Sequence, residues 1–244
     1  MFIDECQDFN SDEINDFCQH GTYCWFFGDS FQSIMEFPNH TVQSVEDTAK
    51  QIGVHPQDLC INWRLTIENA KVGEHIRPHS RLSFACIKHG PKPRLVETNA
   101  QLDKIIEYIS NGNLTDVGIL VYYNGQVERI RDYFQSKGIP VQWKTKDDME
   151  IDFKSTSPKI ITWHSAKGLQ FNDVFIPCCG LDEYKLFVPW SHDPMTEKES
   201  ALYVATTRPL ENLYLLYTNN LAPLLPNSNS PVYSGNAGTN SGPF

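Results

Sequence analysis

No stretch of this chain approaches the roughly 18 consecutive apolar residues of a membrane-spanning helix, and its start lacks the basic-then-apolar layout of a secretory leader. A cytoplasmic address with no membrane partner is the expectation. The seven cysteines, an odd number, never fall in C-x-x-C pairs. That spacing argues against a zinc site or a disulfide framework and for reduced thiols in a core. Basic residues are nearly absent from the first 50 positions, which hold ten acids and a single base, Lys50; the remainder is close to balance, with twenty acids and nineteen bases. The net charge of -10 is therefore local, and it speaks against a nucleic-acid surface less than the total suggests. Between Leu59 and Arg94 lie seven Arg/Lys and only two acids, enough for a phosphate-facing surface or for an ordinary solvated one.

What is present is a globular chain of 244 residues, 40% hydrophobic, able to fill the cores of one or two domains. Ser11 reads as the N-cap of a short helix ending near Gly21, and Tyr23 to Phe27 as a buried parallel strand halted by Gly28-Asp29. Helices are expected over Thr41 to Ile52 and Thr66 to Ile76, with a strand at Leu59 to Ile61 between them. Further on, strands at Arg94 to Glu97, Val117 to Tyr122, Lys159 to Trp163, Asp173 to Pro177 and Leu213 to Tyr217 alternate with helices. Those helices lie near Leu102 to Ile109, Gln126 to Lys137 and Glu197 to Thr207. Lys144 to Pro158 reads as a polar loop, and the Asn/Ser/Gly/Pro-rich end from Pro223 to Phe244 as disordered. The alternation indicates α/β architecture with a mostly parallel sheet.

Five segments carry chemistry. Met1-Phe2-Ile3-Asp4-Glu5 ends an apolar strand in two acids, the way a parallel sheet delivers a metal-holding and a water-activating carboxylate to a nucleotide site. Gly28-Asp29-Ser30-Phe31-Gln32 places a neutral amide after the next strand. Asn62-Trp63-Arg64 offers a flat ring beside a planar cationic fork. Thr162-Trp163-His164-Ser165-Ala166-Lys167-Gly168-Leu169-Gln170 sets hydroxyl, imidazole and amide groups on one turn, and Tyr203 to Arg208 ends a helix in arginine. Taken singly, Phe37 and Trp63 would be core aromatics, Arg64 and Arg208 structural ion-pair partners, and His164 a satisfied histidine. Their fixed order gives them weight.

In that order the chain resembles the UvrD/Rep family of superfamily 1 DNA helicases, from about Met1 to Thr218. The resemblance implies a RecA-like parallel sheet. Residues 1–58 would be the back part of a first RecA-like domain, 59–220 a complete second one, and 221–244 a disordered tail. By position it implies Mg²⁺ on Asp4, water activation by Glu5, γ-phosphate sensing by Gln32, and charge neutralisation by Arg64 and Arg208. Trp63 would stack on adenine, with Gly168 and Gln170 near the ribose and phosphates. Phe37, Thr162 and His164 would contact single-stranded DNA. The implied cofactors are ATP and Mg²⁺.

The chain departs from that pattern in four ways. No segment matches the phosphate loop G-x-x-x-x-G-K-[ST], so turnover by these residues alone is expected to be negligible, and a chain or segment carrying that loop is an expected partner. Trp63 replaces a tyrosine, Gln170 a glutamate, and Pro209 follows Arg208 where a small residue is usual. The short span from Tyr122 to Lys159 indicates a compact type without the helical insertion of larger members. The reading is the C-terminal part of an ATP-dependent DNA helicase. Its alternative is a non-enzymatic RecA-like module holding single-stranded DNA or a protein.

Overall fold

The computed structural model describes residues 1–37, 39–112, 114–147, 149–152, 154–185 and 194–234. Of these, 1–60 and 194–203 form one compact unit, and 61–185 and 204–234 another.

In the first unit, β1 (Phe2–Ile3) and β2 (Trp25–Phe26) pair in parallel, joined through α1 (Ser11–His20) and followed by α2 (Val45–Ile52). The Asn10 side chain accepts from the amides of Asp12 and Glu13, while the Glu13 carboxylate accepts the Asn10 amide. This capping box puts the cap one residue before the expected Ser11. At α2 the Ser44 hydroxyl accepts the Asp47 amide at 3.0 Å, so that helix begins at Val45 rather than Thr41. Ile3, Ile14, Ile34 and Ala49 are buried. The strand expected to be buried at Tyr23 to Phe27 is short and open: Trp25 is 61% exposed, and Tyr23 and Phe27 are exposed as well. An apolar run is buried on both faces only where further layers cover both, and two strands of two residues have one covered face.

The second unit opens with β3 (Asn62–Thr66), α3 (Ile67–Ile76), α4 (Leu82–Ala85) and β4 (Cys86–Lys88). The strand expected at Leu59 to Ile61 forms three residues later, and Leu59 itself is 85% exposed. Strands β3 and β4 pair in parallel as a separate two-stranded sheet.

After these come β5 (Arg94–Glu97), α5 (Gln101–Asn111), β6 (Val117–Val121), α6 (Asn124–Ser136), β7 (Gln142–Lys144) and β8 (Met149–Glu150). The unit closes with β9 (Lys159–Thr162), β10 (Phe171–Ile176), α7 (Leu181–Lys185), the end of α8 (Pro194–Thr206) and β11 (Pro209–Tyr217). The main sheet runs β5-β11-β10-β6-β9-β7-β8. Six strands are parallel and β8 alone is antiparallel, against β7. Part of the segment expected as a polar loop is thus a sheet edge. Alternate residues Val117, Ile119 and Val121 of β6 pack with Val127, Ile130 and Phe134 of α6 and with Ile105 of α5, the period-2 and period-3.6 patterns meeting across one face. Pro209 opens β11, a position where its missing N–H costs no ladder bond.

The expected disorder from 221 onward fails for residues 221–234. Ala222, Leu225 and Tyr233 are buried, the Ser234 amide donates to Pro93 O at 2.9 Å, and Lys92 Nζ donates to Pro231 O at 2.9 Å. A few apolar anchors in a polar segment are enough to dock it. Residues 235–244 lie outside the described part.

All seven cysteines are free. Cys6, Cys86 and Cys179 are buried, and burial pushes the Cys6 and Cys86 thiols up to about 11. Cys18 and Cys60 are exposed, so the expectation of core thiols holds for only part of the set. At neutral pH a thiol reagent, followed by mass spectrometry, should modify Cys18 and Cys60 in the native protein and reach Cys6, Cys86 and Cys179 only after denaturation. Amide exchange should be slowest in β6, β9 and β10 and faster throughout 1–60, where short paired strands protect few amides. Equal protection in both units would contradict this ordering.

Candidate active site and nucleic-acid interface

In the first unit the two acids sit where β1 ends. Asp4 is exposed and accepts the Glu5 amide through Oδ1 at 2.9 Å. Glu5 has φ 53° and ψ 44°, a left-handed conformation that costs a non-glycine residue on the order of 1–3 kcal/mol and tends to mark functional turns. Beside it, Gln7 is fully buried. Its Nε2 donates to Glu5 Oε2 at 2.5 Å and its Oε1 accepts the Asp29 amide at 3.0 Å. Asp29 in turn caps the 3₁₀ turn Ser30–Gln32, accepting from the Phe31 amide at 2.9 Å and from Gln32 Nε2 at 2.8 Å. Asp4, Glu5 and Gln32 therefore belong to one hydrogen-bonded group. Phe37, 42% exposed, stands apart from it in a tight reversal, with amide bonds exchanged between Phe37 and His40.

In the second unit the remaining residues fall at two ends of the sheet. Gly168 (φ 76°) and Gln170 immediately precede β10, and Arg208 immediately precedes β11. Arg208 is 2% exposed. Its Nε donates to Val204 O at 2.9 Å, one terminal nitrogen to Leu169 O at 3.4 Å and the other to Thr207 Oγ1 at 3.1 Å. Helix α3 and strand β4 are tied to the same end: Asn69 Nδ2 of α3 donates to Glu211 O at 2.9 Å and Lys88 Nζ of β4 to Leu210 O at 3.0 Å. Trp63 is 74% exposed. Arg64 is half-buried, and its Nε has no hydrogen-bond partner among the described residues.

Thr162 and His164 lie at the opposite end, where β9 stops. Thr162 Oγ1 accepts the Ser165 amide and donates to Ser165 Oγ, both at 3.1 Å, so this hydroxyl caps the following turn. Tyr122, just after β6, is the hub of an aromatic group: its ring lies 4.6 Å from Tyr123, 5.4 Å from Trp163 and 5.5 Å from His164. Trp163 Nε1 donates to Leu120 O at 3.2 Å.

Residues 142–220 match the UvrD-like helicase C-terminal domain. The chain is also similar to a protein of Acanthamoeba polyphaga mimivirus that bears the name "Putative ATP-dependent DNA helicase R568", at 26% identity over 90% of this chain. It spans 34% of that relative's length. Among solved structures, the C-terminal domain of a possible DNA helicase from Lactobacillus plantarum aligns with a TM-score of 0.55 at 17% identity. That alignment covers 72% of this chain and 99% of the other, and it shows a shared fold. The UvrD-like match begins at β7 and runs through β9, β10 and β11, the part of the sheet that carries Thr162, His164, Gly168, Gln170 and Arg208.

Sequence reading missed Gln7, Asp29 and the Tyr122–Tyr123 pair. Asp29 lies inside a segment already singled out and Gln7 two residues past another, and a glutamine beside the buried Cys6 is the available signal for the first. The Arg208 bonds make it a structural anchor of the UvrD-like part whatever else it contacts. Arg208→Ala, which strands the Val204 and Leu169 carbonyls, should lower stability by about 2–4 kcal/mol, whereas Arg64→Ala should cost less than about 1 kcal/mol. Urea denaturation of the two variants checks the contrast.

Proposed function

We propose that this chain is the C-terminal part of an ATP-dependent DNA helicase that moves along single-stranded DNA. The carrying observation is the segregation within the second unit. Gly168, Gln170 and Arg208 gather at the end where β10 and β11 begin, Thr162 and His164 sit at the end where β9 stops, and residues 163–170 run between the two. A nucleotide at one edge and a DNA backbone at the other would be coupled through that single connection. Base stacking on the exposed ring of Phe37 would hold a strand without reading its sequence.

Asp4, exposed with Glu5 beside it, fits Mg²⁺, which takes one or two carboxylates and fills its shell with water and phosphate oxygens. Bound there, Mg²⁺ would neutralise phosphate charge. Glu5 would orient the attacking water, and Gln32 would hydrogen-bond the terminal phosphate. Arg64, whose Nε has no hydrogen-bond partner among the described residues, is less engaged than Arg208 and would be the one to neutralise charge on a phosphoryl group. The burial of Arg208 favours a second reading, a DNA-holding module without turnover, and that reading differs in requiring no Glu5 chemistry.

Fluorescence anisotropy with a labelled oligothymidine tests the DNA half of the proposal. Affinity in the micromolar range at about 50 mM salt should fall by orders of magnitude by about 200 mM, as phosphate contacts release counterions. Phe37→Ala and His164→Ala should each weaken binding by roughly 5- to 100-fold, the range expected for a lost stacking contact. Absence of binding at the lower salt, or indifference to both substitutions, would overturn the assignment.

A further inference from the structure

Gln7 is the one fully buried polar side chain in the acid-bearing turn, and both ends of its amide are engaged by groups already placed in the candidate site. The orientation of that amide is dictated by its neighbours. A carboxylate can only accept, so Nε2 faces Glu5; a backbone N–H can only donate, so Oε1 faces Asp29. Asp29 then holds Gln32 through its second oxygen. The result is an unbroken chain of bonds, Glu5 to Gln7 to Asp29 to Gln32, inside the first unit. Gly28 lies close against it, where a Cβ would collide with Gln7 Oε1 and lie 2.8 Å from Cys6 Sγ. The backbone on either side is pinned as well: the Cys6 amide donates to Phe27 O at 2.8 Å and the Asp8 amide to Glu5 O at 2.9 Å.

We infer that Gln7 is a positioning residue that couples the water-activating carboxylate to the phosphate-sensing amide, so that Glu5 and Gln32 shift together. When Gln32 leaves the Asp29 turn to meet a phosphate, Asp29 loses a donor, its amide-to-Gln7 bond adjusts, and the Glu5 carboxylate follows. The direction reverses equally well. This inference rests on the ATP-hydrolysing reading for its use, and not for its existence as a physical coupling. A core amide serving only to satisfy the Asp29 N–H would transmit nothing between Glu5 and Gln32.

The two can be told apart without nucleotide or turnover, by following side-chain amide resonances of the ¹⁵N-labelled full chain. Glu5→Gln should move the Gln32 Nε2 cross-peaks and the Asp29 backbone amide in the otherwise unaltered protein. In a Gln7→Met background the same change should leave the Gln32 peaks where Gln7→Met alone puts them. Gln32→Ala, a substitution at a partly exposed site that leaves Gln7 in place, should shift the Gln7 amide. This arm decides the question if Gln7→Met abolishes the dispersed signals of residues 1–60. Gly28→Ala should weaken the Glu5-to-Gln32 response by crowding Oε1. Equal Gln32 shifts with and without Gln7, or a Gln7 amide indifferent to Gln32→Ala, would overturn the coupling. A coupling that persists in a chain with no affinity for single-stranded DNA would leave the relay standing and remove the helicase reading.

Discussion

Strand direction is the constraint on which the second unit depends. Because β5, β11, β10, β6, β9 and β7 all run the same way, every residue that follows a strand lands on one edge of the sheet and every residue that precedes one lands on the other. Thr162 and Gly168 are close neighbours in sequence, yet they finish at opposite edges. Residues 163–170 must return past β6 to start β10, and they do so without a helix. The connection is held at its start by Trp163, whose amide donates to Val121 O at 2.7 Å and whose indole donates to Leu120 O. Further along, Ala166 is buried and its amide donates to Thr162 O at 2.9 Å. A segment fixed in this way has little freedom to move one end independently of the other.

The legible part of this protein was the part in which sequence period and tertiary surroundings agree. The buried run of β6 and the face of α6 carrying Val127, Ile130 and Phe134 could be read directly, because each lies against a layer that wants what the pattern offers. Tyr23 to Phe27 has the same composition as β6 and a different fate, since composition cannot report how many neighbours a strand will have. Leu59 to Ile61 looks like a strand for the same reason, and the ladder forms at Asn62 to Thr66 because β4 supplies partners there. The docked segment 221–234 was illegible because its order comes from long-range bonds to Lys92 and Pro93, which a local reading of Asn, Ser and Pro cannot see.

Among the candidate residues, order along the chain located groups but not their employment. Thr162 was read as a backbone contact for DNA, and its hydroxyl already caps a turn. The resemblance implies charge neutralisation by Arg208, and its guanidinium is bound to its own unit on every nitrogen. Residue type and spacing say which groups reach an edge of the sheet; only burial and bonding say which remain free to meet a ligand there. By that criterion Gln170 is exposed, Arg64 is half-buried, and Arg208 first of all holds the start of β11 against the loop before β10.

The acid-bearing turn of the first unit shows the same economy on a smaller scale. The chain must leave β1 after Ile3 and reverse within a few residues, which forces Glu5 into the left-handed region at a cost no ordinary turn residue would incur. Bonds from Cys6 to Phe27, from Asp8 to Glu5 and from Gln7 to both Glu5 and Asp29 offset that cost. The strained carboxylate and the buried amide are therefore parts of one device, because relaxing Glu5 would break the Gln7 bond and removing Gln7 would leave the strain uncompensated. A turn built only to reverse the chain would place Gly or Asn at position 5 and have no use for a buried glutamine at position 7. Two acids and an amide stand there instead, and the amide's two bonds hold the Glu5 carboxylate and the Asp29 backbone in a fixed relation to each other.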